Sequence, residues 1–171
     1  MGRIVQETLL AIDPGVTMSG WAVFLGQKLV EAGLARAKRD MEIPERVQAM
    51  LAALVLVRQA TTPRNFFDTV VVEYPMVYPG RNAVGDPNDI VAVSYAAGAI
   101  AHAVASKDTR VIATLPRNWK GTIPKNIHHQ RLQADHPKAI PVVKRSGPSS
   151  MQHHVWDAVG LGFWQLERTR A

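Results

Sequence analysis

The pattern of this chain predicts a mixed α/β fold, a five-stranded sheet flanked by helices, over its 171 residues. Three observations predict it. Three apolar runs of strand length come first, spaced closely enough to form a meander. Two further apolar runs, at 68–73 and 110–115, are separated from what precedes them by long stretches with helical spacing. No internal repeat, low-complexity tract or linker divides residues 1–171, which are therefore expected to form one domain. The order βββαβαβαα implies a mixed sheet with helices on its faces.

Thr8 to Asp13 is a continuous apolar run closed by the breaker Pro14-Gly15, the mark of a fully buried strand. Gly20 to Leu25 and Lys28 to Leu34 follow, split by Gly26-Gln27 as in a hairpin. From Glu45 to Gln59 the residues Val47, Met50, Leu51, Leu54 and Val55 fall on one helical face, with Pro44 at the start. Asp68 to Glu73 is a Val-rich strand, and Tyr74 to Pro87 is a loop with three Pro and two Gly. Asn88 to Ser106 is an alanine-rich helix whose small side chains suit close packing, on the sheet or on a second copy of the chain. Arg110 to Leu115 forms the fifth strand and Pro124 to Ala134 a short basic helix. The segment 137–150 is rich in Pro and basic residues. Ser149 or Ser150 then caps a last helix through about Glu167.

Composition narrows the class. Apolar residues make up 47% of the chain, ordinary for a globular protein. No apolar run approaches the roughly 18 residues of a membrane span, and the start of the chain lacks the pattern of a signal peptide, so a cytoplasmic protein is expected. Cysteine is absent, which excludes disulfides, a thiol nucleophile and a Cys-zinc site. The net charge is +6, and the stretch from Lys107 to Arg145 alone carries +7. Such a regional excess is either a solvated surface or the footprint of a polyanion.

Three separate segments end in groups able to hold a divalent ion. The first strand ends on Asp13 and the fourth on Glu73, while His154 and Asp157 stand three apart at the start of the last helix. An unpaired buried carboxylate is costly, so strands that finish on one point to a bound cation. Hard oxygen donors with few nitrogens favour Mg²⁺ or Mn²⁺ over zinc. Each group also has a plain structural reading. Asp13 can cap its own loop, Glu73 can run into solvent, and Asp157 can complement the helix dipole beside surface histidines. His153 competes with His154 for the fourth place.

Ile12-Asp13-Pro14-Gly15 followed by Gly20-Trp21-Ala22-Val23 resembles the opening of RuvC-type Holliday junction resolvases, endonucleases of the ribonuclease H-like superfamily. Val71-Val72-Glu73 resembles their second acidic strand, and His154-Val155-Trp156-Asp157-Ala158 their C-terminal pair. The likeness spans residues 9 to about 164. It implies a ribonuclease H-like sheet, a homodimer, a role in DNA recombination and repair, and two Mg²⁺ or Mn²⁺ ions held by Asp13, Glu73, His154 and Asp157. Two ions about 4 Å apart serve an in-line displacement at phosphorus. Branched DNA, the four-way junction above all, is the implied partner, cut by paired phosphodiester hydrolysis that leaves 5′-phosphate ends. Arg117, Lys120, Lys125, Arg131, Lys144 and Arg145 are then expected to neutralise phosphates. Tyr78, with Met76 and Val77, falls where relatives place a residue that intrudes at the crossover. The Pro-rich loop around it departs from the family pattern. The compact basic chain is also similar to phage-encoded members, for which the compartment is the host cytoplasm.

Other classes compete. Asp13-Pro14-Gly15-Val16-Thr17 fits a phosphate loop of sugar kinases and actin-like ATPases, but those enclose a nucleotide between two domains, so no nucleotide cofactor is expected here. A nuclease of the same fold acting on other branched DNA or RNA–DNA hybrids, and a non-catalytic DNA-binding module, are the remaining alternatives.

Overall fold

A computed structural model describes residues 6–76 and 86–169. Five strands, β1 (Thr8–Asp13), β2 (Met18–Leu25), β3 (Lys28–Arg36), β4 (Thr69–Glu73) and β5 (Arg110–Thr114), form one sheet in the order β3-β2-β1-β4-β5. β1 pairs antiparallel with β2 and parallel with β4, and β4 pairs parallel with β5. The mixed sheet predicted from the element order is therefore present. The hairpin between β2 and β3 turns on Gly26, whose φ of 55° is a conformation that glycine adopts without strain.

Helices cover both faces. α1 (Ile43–Thr61) and α2 (Pro87–Val104) pack on one, where Val47, Met50, Leu54, Ala96, Ala97 and Ile100 meet Leu10, Ile12, Val70 and Val72. α6 (Gln152–Arg168) lies on the other, where Val155, Ala158, Val159 and Leu161 meet Leu9, Ala11, Phe24 and Val71. Burial on both faces is why β1 and β4 read as unbroken apolar runs rather than alternating ones. Gly162 lets α6 approach closely, because a Cβ there would fall 2.1 Å from the Phe24 ring.

The alanine face of α2 is used inside the fold: Ala96, Ala97 and Ala101 are buried against α1 and the sheet. Val91 and Tyr95 on the same helix remain exposed.

Several boundaries differ from the expectation. β2 starts two residues earlier and β3 ends two later, because their antiparallel pairing runs on to Met18 and Arg36. In the basic stretch after β5 the helix expected from Pro124 to Ala134 is present as α4 (Lys125–Asp135), and two short helices not expected, α3 (Pro116–Trp119) and α5 (Ile140–Arg145), flank it, with a 3-10 turn at Pro137–Ala139. Pro116 and Pro141 stand in first turns, where a missing N–H costs nothing. Ser149 and Ser150 do not cap α6. They form a 3-10 turn, and the residue preceding α6 is Met151, with no side-chain cap bond. No helix among the described residues is long and apolar enough to cross a membrane. Val77, Tyr78 and most of the Pro-rich loop lie outside the described residues.

Candidate active site

Strand parity aims the first two acids. Leu9 and Ala11 of β1, and Val71 of β4, pack on the α6 side. Side chains alternate along a strand, so Asp13 and Glu73 project to that same side at the carboxyl end of the sheet. α6 reaches them because β2 has a glycine opposite Asp13. Gly20 pairs with Asp13, and a Cβ on Gly20 would lie 2.0 Å from the His154 carbonyl oxygen. The helix backbone thus comes close to the sheet, and His154 Nδ1 lies 3.4 Å from Asp13 Oδ2. His153 points elsewhere: it is exposed, and its Nδ1 lies 3.0 Å from the Ser150 carbonyl.

Asp157 is one turn further along α6 and buried. Its Oδ1 is 2.9 Å from His129 Nε2 on α4, and its Oδ2 is 2.5 Å from Lys125 Nζ. Glu73 accepts from Trp119 Nε1 at 2.6 Å and pairs with Lys120 Nζ at 3.1 Å. Lys120 directly follows Trp119, the last residue of the short helix α3. The Trp119 ring is packed edge-on to His128, and Gly160 of α6 leaves room for both. All four predicted acid-site residues, Asp13, Glu73, His154 and Asp157, therefore face one end of the sheet.

Lys120, paired with Glu73, also feels the charges of Asp157 and Asp13. Burial alone would pull its pKa down, but Glu73, Asp157 and Asp13 together hold it above the ordinary lysine value. Burial pushes the Glu73 carboxyl up, the Asp13 charge adds to that, and Lys120 and Trp119 only partly oppose it. Burial also works against the Asp157 charge. The bond from His129 and the charges of Lys120 and Lys125 outweigh it and bring the pKa down to about 2. The two buried acids thus differ: one carboxylate is well compensated, the other is short of positive charge.

The donor set suits a hard divalent cation by its chemistry, three carboxylates and an imidazole at one edge. Among the described residues, however, no three of these groups are arranged as a ready metal cage. The carboxylate oxygens of Glu73 and Asp157 are taken up by Lys120, Trp119, Lys125 and His129. Loading an ion at Asp13, Glu73 and Asp157 requires those ammonium groups to move aside.

The six predicted phosphate contacts separate into two kinds. Lys120 and Lys125 turn inward to the acids. Arg117, Arg131, Lys144 and Arg145 are exposed and, among the described residues, have no ion-pair partner. His129 was not singled out in the sequence. It stands in a basic, polar helix, and only its burial against α6 distinguishes it from its neighbours.

No family model and no curated protein matches the chain. Solved structures do. Thermus thermophilus RuvC superposes with a TM-score of 0.65 at 20% identity, covering 95% of each chain. T. thermophilus RuvC in complex with a Holliday junction substrate gives 0.61 at 20% identity, covering 96% of this chain and 95% of that one. The yeast mitochondrial Holliday junction resolvase Ydc2 gives 0.56 at 10% identity, covering 96% and 84%. With its sheet order, its covering helices and these neighbours, the chain has the ribonuclease H-like fold of the RuvC-type Holliday junction resolvases.

Proposed function

We propose that this protein is a structure-selective DNA endonuclease that resolves four-way junctions by hydrolysing one phosphodiester in each of two equivalent strands. The observation that carries the reading is that Asp13, Glu73 and Asp157, from β1, β4 and α6, come to one edge of the sheet, Asp13 against His154, Glu73 against Lys120 and Asp157 against Lys125 and His129. Gathering three acids at one place costs each its desolvation and sets like charges together, a cost that a bound cation offsets. The fold neighbours whose names include Holliday junction support the same substrate.

In this reading Asp13, Glu73 and Asp157 would hold Mg²⁺ or Mn²⁺, which would supply charge for the leaving oxygen and acidify the attacking water. His154, beside Asp13, would either join them as a ligand or orient the attacking water. Lys120 moves from Glu73 towards the negative charge that grows on the phosphate. Trp119 keeps Glu73 in place through its indole N–H. The attacking water gives up one proton to solvent as its oxygen bonds to phosphorus, the P–O3′ bond breaks, and the departing oxygen takes a proton from solvent, leaving 5′-phosphate and 3′-hydroxyl ends. Arg117, Arg131, Lys144 and Arg145 position the DNA through its phosphates without reading bases. A homodimer belongs to the proposal, because two-fold symmetry sets two sites on two equivalent strands. The whole of residues 1–171 serves as one nuclease domain.

The test is a cleavage panel of junction, flap, fork and RNA–DNA hybrid with Mg²⁺, with Mn²⁺ and with EDTA. Symmetric cuts in the junction, lost with EDTA, are expected. Asp13→Asn should still bind the junction and cut nothing. Normal cutting by that variant would refute the site, and preferential cutting of another substrate would replace the junction in the proposal.

A further inference from the structure

A second feature lies beside the acids. A cleft of 530 Å³ runs along β5, with Arg110 and Thr114 on its floor, Trp164 and Arg168 of α6 along its wall and Asn118 of α3 at one end. Arg110, Ile112 and Thr114 alternate onto the α6 side of the sheet; Thr114 is buried and Ile112 packs partly on the α6-side core, but α6 lies mainly over β1 and β2 and leaves the Arg110 end of this outer strand open. The end at Thr114 adjoins the acid site. Thr114 is the register partner of Glu73, and Asn118 immediately precedes Trp119, which bonds Glu73. From there to Arg110 the floor is roughly 13 Å long, four strand steps of about 3.3 Å.

The lining is cationic and aromatic. Arg110 and Arg168 are exposed, and among the described residues neither has an ion-pair partner. The Arg168 guanidinium lies 4.9 Å from the Trp164 ring centroid, a stacking that holds it in the cleft. Glu7 stands near Arg110 only past the far end, where its carboxylate accepts from the Thr69 hydroxyl at 3.1 Å. Two unpaired guanidinium groups on a track that starts at the acids suit a repeating anion.

We propose that this cleft binds the sugar–phosphate backbone of the substrate strand as it leaves the acid site, with Arg110 and Arg168 on successive phosphates. This rests on the nuclease reading and adds to it a contact surface that joins Arg110 of the +7 segment to Arg168 outside it. The contacts are to backbone, so they hold any sequence alike and fix the strand's direction across Glu73.

The test uses Asp13→Asn as a non-cutting parent and adds Arg110→Gln and Arg168→Gln together. Junction affinity is followed by fluorescence anisotropy across a salt series, with a circular dichroism melt to show that the variant folds. The expected result is a log K against log salt slope shallower by about two, and an affinity at 0.1 M salt lower by roughly tenfold per lost contact. Single methylphosphonates, which remove one phosphate charge, should weaken the parent at two neighbouring positions and leave the double variant indifferent there. An unchanged slope with a junction-binding parent overturns the cleft and leaves the nuclease reading standing. A parent that binds no branched DNA ends both. Poly-glutamate that binds the parent and not the double variant, with the DNA slope unchanged, overturns the assignment in favour of an acidic protein partner.

Discussion

Replacing Asp157 by Asn and Glu73 by Gln each removes one negative charge from the same small site, yet the expected stability changes have opposite signs. The Asp157 carboxyl is lowered from 3.8 to about 2, chiefly because the His129 bond and the two lysines outweigh burial. At about 1.4 kcal/mol per unit, its charge contributes about 2 kcal/mol at neutral pH. A carboxyl with a depressed folded value contributes fully above its unfolded value and loses that contribution as the pH falls through the folded one. Asp157→Asn should therefore be about 2 kcal/mol less stable at pH 7, and the gap should close as the pH falls from 3.8 through about 2. Glu73 behaves in reverse. Its pKa is raised above 4.5 by burial and by Asp13, so its contribution is complete below 4.5 and lost as the pH rises through the folded value. Glu73→Gln, which still accepts from Trp119, should match the wild type in acid and exceed it at pH 7 and above. Urea denaturation in EDTA, with ΔG extrapolated at each pH, measures both. Two variants destabilised equally, or an Asp157→Asn gap that does not vary with pH, would refute the charge balance drawn here.

Two more outcomes are expected. Gly20→Ala places a methyl where the His154 carbonyl lies 2.0 Å away, so α6 must shift outward. The cost should be about 1–3 kcal/mol in a denaturant titration, with junction cleavage lost even though no acid is altered. Wild-type activity in a folded Gly20→Ala protein would show that the close approach of β2 and α6 is dispensable. Lys120→Met removes the ammonium that stands among the acids. In metal-free buffer the wild type should lose stability as the pH rises above 10.5 through the raised lysine value, and the variant should lack that drop. Calorimetry with Mn²⁺ should show tighter binding to Lys120→Met, because the ion no longer displaces a cation. Weaker binding would mean that the lysine assists the metal rather than competing with it.

Local pattern was enough for the elements that are long or wholly buried. β1 and β4 are apolar without a break because helices cover both faces, and their carboxylate ends stand out against that background. The parity that turns Asp13 and Glu73 to one side is equally a property of the strands. The stretch from 116 to 151 was much less legible. Only the helix beginning at Pro124 was expected there, whereas Pro116 and Pro141 occupy first turns of two more short helices. Propensity cannot separate a loop from a helical first turn, since in both the proline simply lacks an N–H that nothing needs.

Sequence alone determined the order of the five strands and of α1, α2, α4 and α6, the identity of Asp13, Glu73 and Asp157 as misfits in apolar surroundings, and the basic excess that points to a polyanion. Those are local properties, written in each residue's neighbours along the chain. Only the tertiary structure decided that His154 rather than His153 stands against Asp13, that His129 holds Asp157, and that Lys120 answers to all three acids. Those pairings join residues from 28 to 141 positions apart. They depend on where glycines such as Gly20 let a helix settle on the sheet, a distance that no periodicity along the chain encodes.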